Sequence, residues 1–177
     1  MPALLAFTDP IRTPDPAALA RHLPRGAAIV LRLYGAADAE AQARALKAIA
    51  RRRGLKLLIG QDHRLARRIG ADGVHLPERL AHLAGPLKRA NPGWIVTAAA
   101  HGHAAARIGG PDAVVISAAF GSNSPSAGAP LGPIRLALMA RGVPAYALGG
   151  VNNKTARRLL DAGLIGLAAV EGLSPRT

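Results

Sequence analysis

The sequence predicts a compact (β/α)₈ TIM barrel, formed by one domain that covers residues 1–177. Three observations support this fold class. Strand-like and helix-like segments alternate along the whole chain, which is typical of βα units with parallel strands. Eight candidate strands are present, the number that closes this barrel. Half of the residues are hydrophobic, so that a sizeable core can form.

Eight short apolar runs are the candidate strands. In chain order they cover residues 4–9, 28–34, 55–60, 72–77, 94–100, 113–119, 145–150 and 165–172. An open doubly wound sheet would also alternate strands with helices. The number of strands favours the closed barrel over that alternative.

Seven segments between the strands have apolar residues at helical spacing. They cover residues 15–23, 37–53, 63–70, 79–90, 103–109, 131–142 and 152–163. Only the segment LSPRT follows the eighth strand, so we expect the barrel to be truncated at its last helix. A partner subunit would cover the strands left exposed, and we therefore expect a homodimer or another homo-oligomer.

The composition excludes several classes of function. The chain contains no cysteine, which excludes disulfides, thiolate metal sites and a cysteine nucleophile. No apolar run approaches the ~20 residues that span a bilayer, and we expect a soluble cytoplasmic protein with no membrane partner. The net charge of +13 is spread over helix faces, and only 3% of the residues are aromatic. We therefore expect no nucleic-acid partner and a surface that favours phosphate-bearing ligands.

Polar residues at strand ends are the candidates for a site, because the loops after the strands form the active face of this fold. Arg32 lies in the second strand, where its charge needs either an anionic ligand or an internal acidic partner. Gln61 and Asp62 follow the third strand, and Asp62 either binds Mg²⁺ or caps the next helix. His101 follows the fifth strand and is a candidate general acid/base. His75 lies inside the fourth strand, where we expect a structural role.

Two later segments indicate an anion site. Gly149 and Gly150 end the seventh strand directly before a helix, where small residues let backbone N–H groups approach a phosphate and the helix N-terminus adds favourable partial charge. Ser122 and Ser124 lie in a loop rich in Gly, Ser and Pro after the sixth strand. This composition predicts a lid that supplies hydroxyl groups to an anionic substrate, although a plain surface loop has the same composition.

Several segments, taken in order, resemble those of the thiamine phosphate synthase/TenI family. They are FTDP near the start, GADGVHL, AAH after the fifth strand, GAPLG at the end of the loop, and ALGGV. The resemblance covers nearly the whole chain and implies a (β/α)₈ barrel with a role in thiamine biosynthesis. It also implies a small phosphorylated thiazole or pyrimidine ligand. The synthases join hydroxymethylpyrimidine diphosphate to thiazole phosphate with magnesium, whereas the TenI-type relatives include a thiazole tautomerase.

The chain departs from the family pattern on the side that holds the diphosphate. The family's strand-two signature Q-x-R-x-K corresponds to Val30, Arg32 and Tyr34, so that only the arginine remains. The lysine of the family's lid aligns with Pro125. The second aspartate that binds magnesium falls at Leu80, which leaves Glu78 as the one conceivable substitute. These changes would remove charge stabilisation from a departing diphosphate.

The resemblance and these departures together favour a TenI-like enzyme that binds thiazole phosphate or a similar small phosphate ester. His101 is its candidate catalytic group, and Gly149 with Gly150 is its candidate phosphate turn. Magnesium, held by Asp62, is the one cofactor that the resemblance implies. A thiamine phosphate synthase, which is a transferase, and a non-catalytic barrel that binds a phosphate ligand are the two alternatives.

Overall fold

The computed structural model describes residues 1–33, 35–122, 124 and 128–170. Its eight strands form one closed parallel barrel in chain order, and the first strand pairs with the eighth to close it. The strands are β1 (Leu4–Phe7), β2 (Ala28–Leu31), β3 (Lys56–Gly60), β4 (Gly73–Leu76), β5 (Ile95–Ala100), β6 (Ala113–Ile116), β7 (Ala145–Ala147) and β8 (Gly166–Ala169). The predicted fold class and all eight predicted strands are confirmed.

Helices lie between successive strands, as the spacing of apolar residues predicts. They are α1 (Pro16–His22), α2 (Ala39–Arg53), α3 (His63–Arg68), α4 (Ala84–Ala90), α5 (His103–Ala106), α6 (Gly132–Ala140) and α7 (Asn153–Ala156). No helix in the described part of the chain is long and apolar enough to cross a membrane.

The predicted helix at residues 79–90 is divided into two parts. A 3₁₀ segment, Glu78–Leu83, comes first, and α4 begins only at Ala84. Pro86 has no N–H for a helical bond to His82, so a single α-helix cannot continue unbroken through this position. A second 3₁₀ segment, Arg157–Leu159, follows α7.

The expectation of a missing last helix concerns the end of the chain. Residues 171–177, which include the segment after β8, lie outside the described residues. The homodimer that we inferred from the missing helix therefore stays a prediction, and so does the cytoplasmic location.

The core has two layers. Side chains that fill the barrel form one cluster, which includes Leu5, Phe7, Val30, Leu58 and Tyr146. Two further clusters lie between the strands and the surrounding helices. Val30, which stands where the family has a glutamine, is fully buried in the barrel cluster and offers no polar group to a ligand.

Two aspartates at the amino end of the barrel join strands to helices. Asp72, directly before β4, accepts hydrogen bonds through Oδ2 from the Leu57 N–H of β3 at 2.8 Å and from Lys47 Nζ of α2 at 2.6 Å. Asp112, directly before β6, repeats this arrangement two strands later. It accepts from the Val96 N–H of β5 at 2.8 Å and from Lys88 Nζ of α4 at 2.9 Å.

Candidate functional site

A cavity of about 620 Å³ opens at the carboxyl ends of the strands. Seven of the eight site residues predicted from the sequence line it. They are Arg32, Gln61, His101, Ser122, Ser124, Gly149 and Gly150. The exception is Asp62, which is not among the lining residues. The cavity therefore lies where this fold places its active sites, and it collects residues that are far apart in the sequence.

The turn after β7 needs glycine at both of its positions. Gly149 and Gly150 have positive φ angles of 97° and 62°, which side chains rarely tolerate. A Cβ on Gly150 would lie 2.3 Å from the Gly121 carbonyl oxygen, so even alanine would not fit there. Within the described residues, neither glycine N–H donates to an acceptor. Two unpaired donors thus lie beside the cavity, an arrangement that suits an anion.

The helix that follows the turn contributes less than the sequence predicts. Asn152 caps α7, and its side chain accepts hydrogen bonds from the N–H groups of Lys154 and Thr155. Since α7 has only four residues, its dipole is also small. The N-terminus of α7 therefore adds little to anion binding. The backbone donors that this segment presents to an anion are the N–H groups of Gly149 and Gly150.

The loop after β6 brings two serines to the cavity. Ser124 N–H donates to Ser122 Oγ at 3.3 Å, so that the two residues form a local turn. Nearby, the Arg158 guanidinium lies over the Phe120 ring at 5.1 Å and connects the start of this loop to the segment after α7. Pro125, which stands where the family's lid has a lysine, lies outside the described residues.

Arg32 has an internal acidic partner and also lines the cavity, so both interpretations of its charge are compatible with the structure. Its Nε donates to the Thr8 carbonyl oxygen at 2.6 Å, and its Nη2 lies 3.3 Å from Asp9 Oδ2. Asp9 also pairs with Arg12 at 2.9 Å, and this hydrogen bond is the main reason that the pKa of Asp9 is lowered to about 2. Two guanidinium groups therefore share the Asp9 carboxylate at the cavity wall.

Gln61 and Asp62 differ in role although they are adjacent. Gln61 has a positive φ of 54°, and its Oε1 accepts a hydrogen bond from Arg79 at 2.8 Å, which holds the side chain at the cavity. Asp62 caps α3, because its Oδ1 accepts the Leu65 N–H at 2.8 Å. Tyr34, where the family's signature has its lysine, lies outside the described residues.

The surroundings of Asp62 do not fit a magnesium ion. One of its carboxylate oxygens is engaged by the helix cap, and the side chain does not line the cavity. Among the described residues, no group of three or more His, Asp or Glu side chains is arranged to hold a metal ion. We therefore derive no chemical step through magnesium, and Asp62 as a metal ligand stays a prediction.

His101 lies at the mouth of the cavity and is paired with an acidic residue. Glu78 Oε2 accepts the His101 backbone N–H at 2.7 Å and lies 2.7 Å from His101 Nδ1. The other ring nitrogen, Nε2, has no partner in the described part of the chain. A half-exposed imidazole with one engaged and one free nitrogen is able to exchange a proton with a ligand.

His75 is buried and lines the inner part of the cavity. Its Nδ1 lies 3.0 Å from Thr97 Oγ1, and its ring meets Phe7 edge-on at a centroid distance of 4.8 Å. Burial lowers the pKa of His75 to about 3, and the charge of Arg32 adds to this effect. The ring is therefore neutral at physiological pH. The packing agrees with the structural role expected from the sequence. The ring also forms part of the cavity wall, where it can contact a ligand.

Two polar residues of the site, Arg12 and Asn152, were missed by the sequence analysis, and a third, Glu78, was considered there only as a magnesium ligand. Arg12 and Asn152 line the cavity, and both follow strands closely enough that the strand-end rule would have found them if it had been extended by a few residues. Glu78 is different, because the sequence offers it only as a substitute magnesium ligand, whereas the structure pairs it with His101. No pattern in the sequence pairs these two positions.

Comparisons with known proteins agree on one family. A family model described as thiamine monophosphate synthase matches residues 4–173. The thiamine-phosphate synthase of Thiobacillus denitrificans is 36% identical over 147 residues, covering 77% of this chain and 68% of that protein. The thiamine-phosphate synthase of Saccharophagus degradans is 31% identical over 141 residues, covering 75% of this chain and 64% of that protein. The chain thus spans about two thirds of the length of these curated relatives.

A solved structure agrees with the observed fold. Thiamine phosphate pyrophosphorylase from Pyrococcus furiosus superimposes with a TM-score of 0.78 over 94% of this chain and 84% of that one. The two chains are 21% identical, so this likeness supports the barrel and not a particular reaction.

Proposed function

The chain belongs to the thiamine monophosphate synthase family, and we propose that it binds a small phosphate ester of the thiazole phosphate class and moves a proton on it. The observation that carries this proposal is the pairing of two features in one cavity. The turn at Gly149 and Gly150 presents two backbone donors without acceptors among the described residues, and His101 presents a free ring nitrogen. The first feature suits a phosphate, and the second suits proton transfer.

The phosphate turn gives the ligand its orientation. Backbone N–H groups hold an anion without any loss of side-chain entropy, because the turn is already formed. The guanidinium groups of Arg12 and Arg32 also line the cavity, where cationic side chains favour an anionic ligand. Ser122 and Ser124 line the cavity from the loop after β6.

His101 performs the chemical step in this proposal. A tautomerisation removes a proton from one atom of the heterocyclic ring and returns a proton to another, so it needs neither a redox partner nor a leaving group. One imidazole is able to do both in turn, because a ring nitrogen accepts a proton when it is unprotonated and donates one when it is protonated. The net reaction is an isomerisation that leaves the phosphate group unchanged.

Synthase activity is the second candidate, and the names of the relatives favour it. The joining of a diphosphate to a thiazole phosphate releases pyrophosphate, whose charge must be stabilised as it departs. In the described residues, Arg12 and Arg32 are the cationic side chains that line the cavity, and both also contact Asp9. Val30 is an apolar core residue and Asp62 caps a helix, so neither supports a bound diphosphate.

Calorimetric titration separates the two reactions. Thiazole phosphate alone and magnesium with pyrophosphate are titrated separately into the wild-type protein. We expect thiazole phosphate to bind without metal, and Gly149→Asp to weaken it by on the order of 100-fold, because the new carboxylate would repel the phosphate. Gly163→Asp is the matched control, since Gly163 also has a positive φ of 68° but has open space around it.

The outcomes distinguish all three functions. Tight binding of magnesium pyrophosphate would replace our proposal by the synthase. If thiazole phosphate binds and His101→Asn abolishes proton exchange while the affinity stays unchanged, the tautomerase is supported. If thiazole phosphate binds and the wild type catalyses no exchange, the protein is a non-catalytic binder. Binding of neither ligand would contradict the proposal.

A further inference from the structure

We propose that Glu78 is a positioning residue that fixes the tautomer and the orientation of His101. In this arrangement the imidazole carries its proton on Nδ1, and Nε2 is the nitrogen available to a ligand. The inference rests on the proposed function for its catalytic meaning. The pairing itself is a property of the free protein, and it is measurable without any ligand.

Strand pairing brings the two residues together. β4 and β5 are neighbours in the barrel, and Leu76 stands opposite Ala98. Glu78 begins the 3₁₀ segment two residues after Leu76, and His101 directly follows the end of β5. The two side chains therefore emerge side by side from adjacent strands at the rim of the cavity.

One carboxylate oxygen holds His101 at two points. Glu78 Oε2 accepts the backbone N–H of His101 at 2.7 Å and contacts Nδ1 of the ring at the same distance. The backbone contact fixes the carboxylate, and the ring contact then fixes the imidazole. Since the His101 side chain is 57% exposed, little else restricts its rotation.

The chemistry of the contact determines where the proton lies. An ionised carboxylate has no hydrogen to donate, so Nδ1 must be the donor in this hydrogen bond. The neutral ring is then protonated on Nδ1, and the lone pair lies on Nε2. A carboxylate in this position also stabilises the imidazolium that forms when Nε2 takes up a proton.

No cation competes for Glu78 in the part of the chain that the structure describes. Its neighbour Arg79 donates instead to Gln61 Oε1 at 2.8 Å. His103, two residues after His101, contacts Arg107 through Nδ1 at 3.3 Å and takes no part in the pair. Among the described residues, the Glu78 carboxylate therefore interacts with His101 and with no cationic side chain.

The first experiment records ¹⁵N spectra of the histidine rings in the free protein at a pH where the rings are neutral. We expect the wild type to show His101 protonated on Nδ1, and Glu78→Ala to shift His101 towards the tautomer mixture of free histidine. Glu78→Asp should retain part of the wild-type signature, because its shorter carboxylate still reaches towards the ring. The His103 signals should not change and serve as an internal control.

The second experiment measures proton exchange on thiazole phosphate. We expect Glu78→Ala to lower kcat at least ~10-fold while KM changes less than about twofold, because the phosphate turn is untouched. Glu78→Asp should recover part of kcat. Identical His101 spectra in the wild type and Glu78→Ala, or an unchanged kcat, would overturn the inference. A wild type that fails to bind thiazole phosphate contradicts the proposed function instead, whatever the spectra show.

Discussion

The polar groups at the two ends of the barrel differ in whether they have hydrogen-bond partners within the protein. At the amino end, the carboxylates of Asp72 and Asp112 each accept a strand N–H and a lysine, so that their charges are matched within the protein. At the carboxyl end, the N–H groups of Gly149 and Gly150 have no acceptor among the described residues, and His101 keeps one free ring nitrogen.

This difference separates stability from function. Groups that are satisfied internally hold neighbouring strands and helices together, and they offer nothing to a ligand. Groups that are left unsatisfied beside a cavity cost stability, and they become useful only when a ligand arrives. We therefore expect substitutions at the amino end to change the free energy of unfolding, and substitutions at the carboxyl end to change binding or catalysis.

His75 is an exception at the carboxyl end, because its ring is buried and paired with Thr97, and we expect it to have the largest effect on stability. Its folded-state pKa is lowered from 6.5 to about 3, so the unfolded chain binds a proton that the folded protein excludes. The stability from neutral His75 is complete above pH 6.5 and is lost as the pH falls towards 3. At about 1.36 kcal/mol per pKa unit, the loss is on the order of 5 kcal/mol.

Denaturation with urea at a series of pH values tests this prediction. The dependence of unfolding free energy on pH between 6.5 and 3 should become much flatter in His75→Gln. The control His22→Gln removes an exposed histidine and should leave the slope unchanged. Equal slopes in wild type and His75→Gln would contradict the prediction.

Asp72→Ala tests the amino end, and we expect it to destabilise the protein by about 2–3 kcal/mol. The change leaves the Leu57 N–H and Lys47 without the acceptor that both share. Affinity for thiazole phosphate should not change. Asp161→Ala, which removes an exposed carboxylate, is the control and should stay within about 0.5 kcal/mol of the wild type. If Asp72→Ala lost affinity for thiazole phosphate but kept its stability, the expectation that the amino end serves stability would be wrong.

The two ends should also differ in the pH range in which they weaken. Burial raises the pKa of Asp72, but the hydrogen bonds from the Leu57 N–H and Lys47 outweigh this effect, so that the pKa is lowered overall from 3.8. Its contribution to stability is therefore present above pH 3.8 and is lost only below it. Protonation of His75, in contrast, lowers the free energy of unfolding already between pH 6.5 and 3.

Asp62 gives the smallest expected effect and sharpens the comparison at the carboxyl end. Asp62→Ala should cost about 1 kcal/mol, because it removes the cap of α3. Asp62→Asn should match the wild type in stability, since asparagine caps helices as well as aspartate does. If Asp62 serves only as a cap, both variants titrate with magnesium as the wild type does. A change in magnesium binding in Asp62→Asn would identify it as a metal ligand.

Much of the barrel follows from patterns that are local in the sequence. The alternation of apolar runs located all eight strands, because a strand buried on both faces needs a short continuous run of apolar residues. The segment GADGVHL shows how specific such a pattern becomes. Asp72 joins β3 to α2, Gly73 leaves room for the Ile95 carbonyl oxygen at a point where a Cβ would lie 1.9 Å away, and His75 reaches the cavity.

The candidate site was only partly predictable. Position after a strand end correctly brought Arg32, Gln61, His101, Gly149 and Gly150 to one cavity, because parallel strands all end at the same face of a barrel. The same rule did not distinguish Asp62, whose carboxylate turns back to its own helix. Strand-end position determines where a backbone lies, whereas local hydrogen bonds decide where the side chain points.

The sequence by itself determined the fold class, the family and the face on which the site lies, because these depend on hydrophobic pattern, chain order and short motifs. Only the tertiary structure decided which groups are paired and which are free. Glu78 and His101 are separated by more than twenty positions and meet because β4 and β5 are adjacent, and the donors of α7 are taken by Asn152. Such contacts depend on distances across strands, and no periodicity along the chain encodes them.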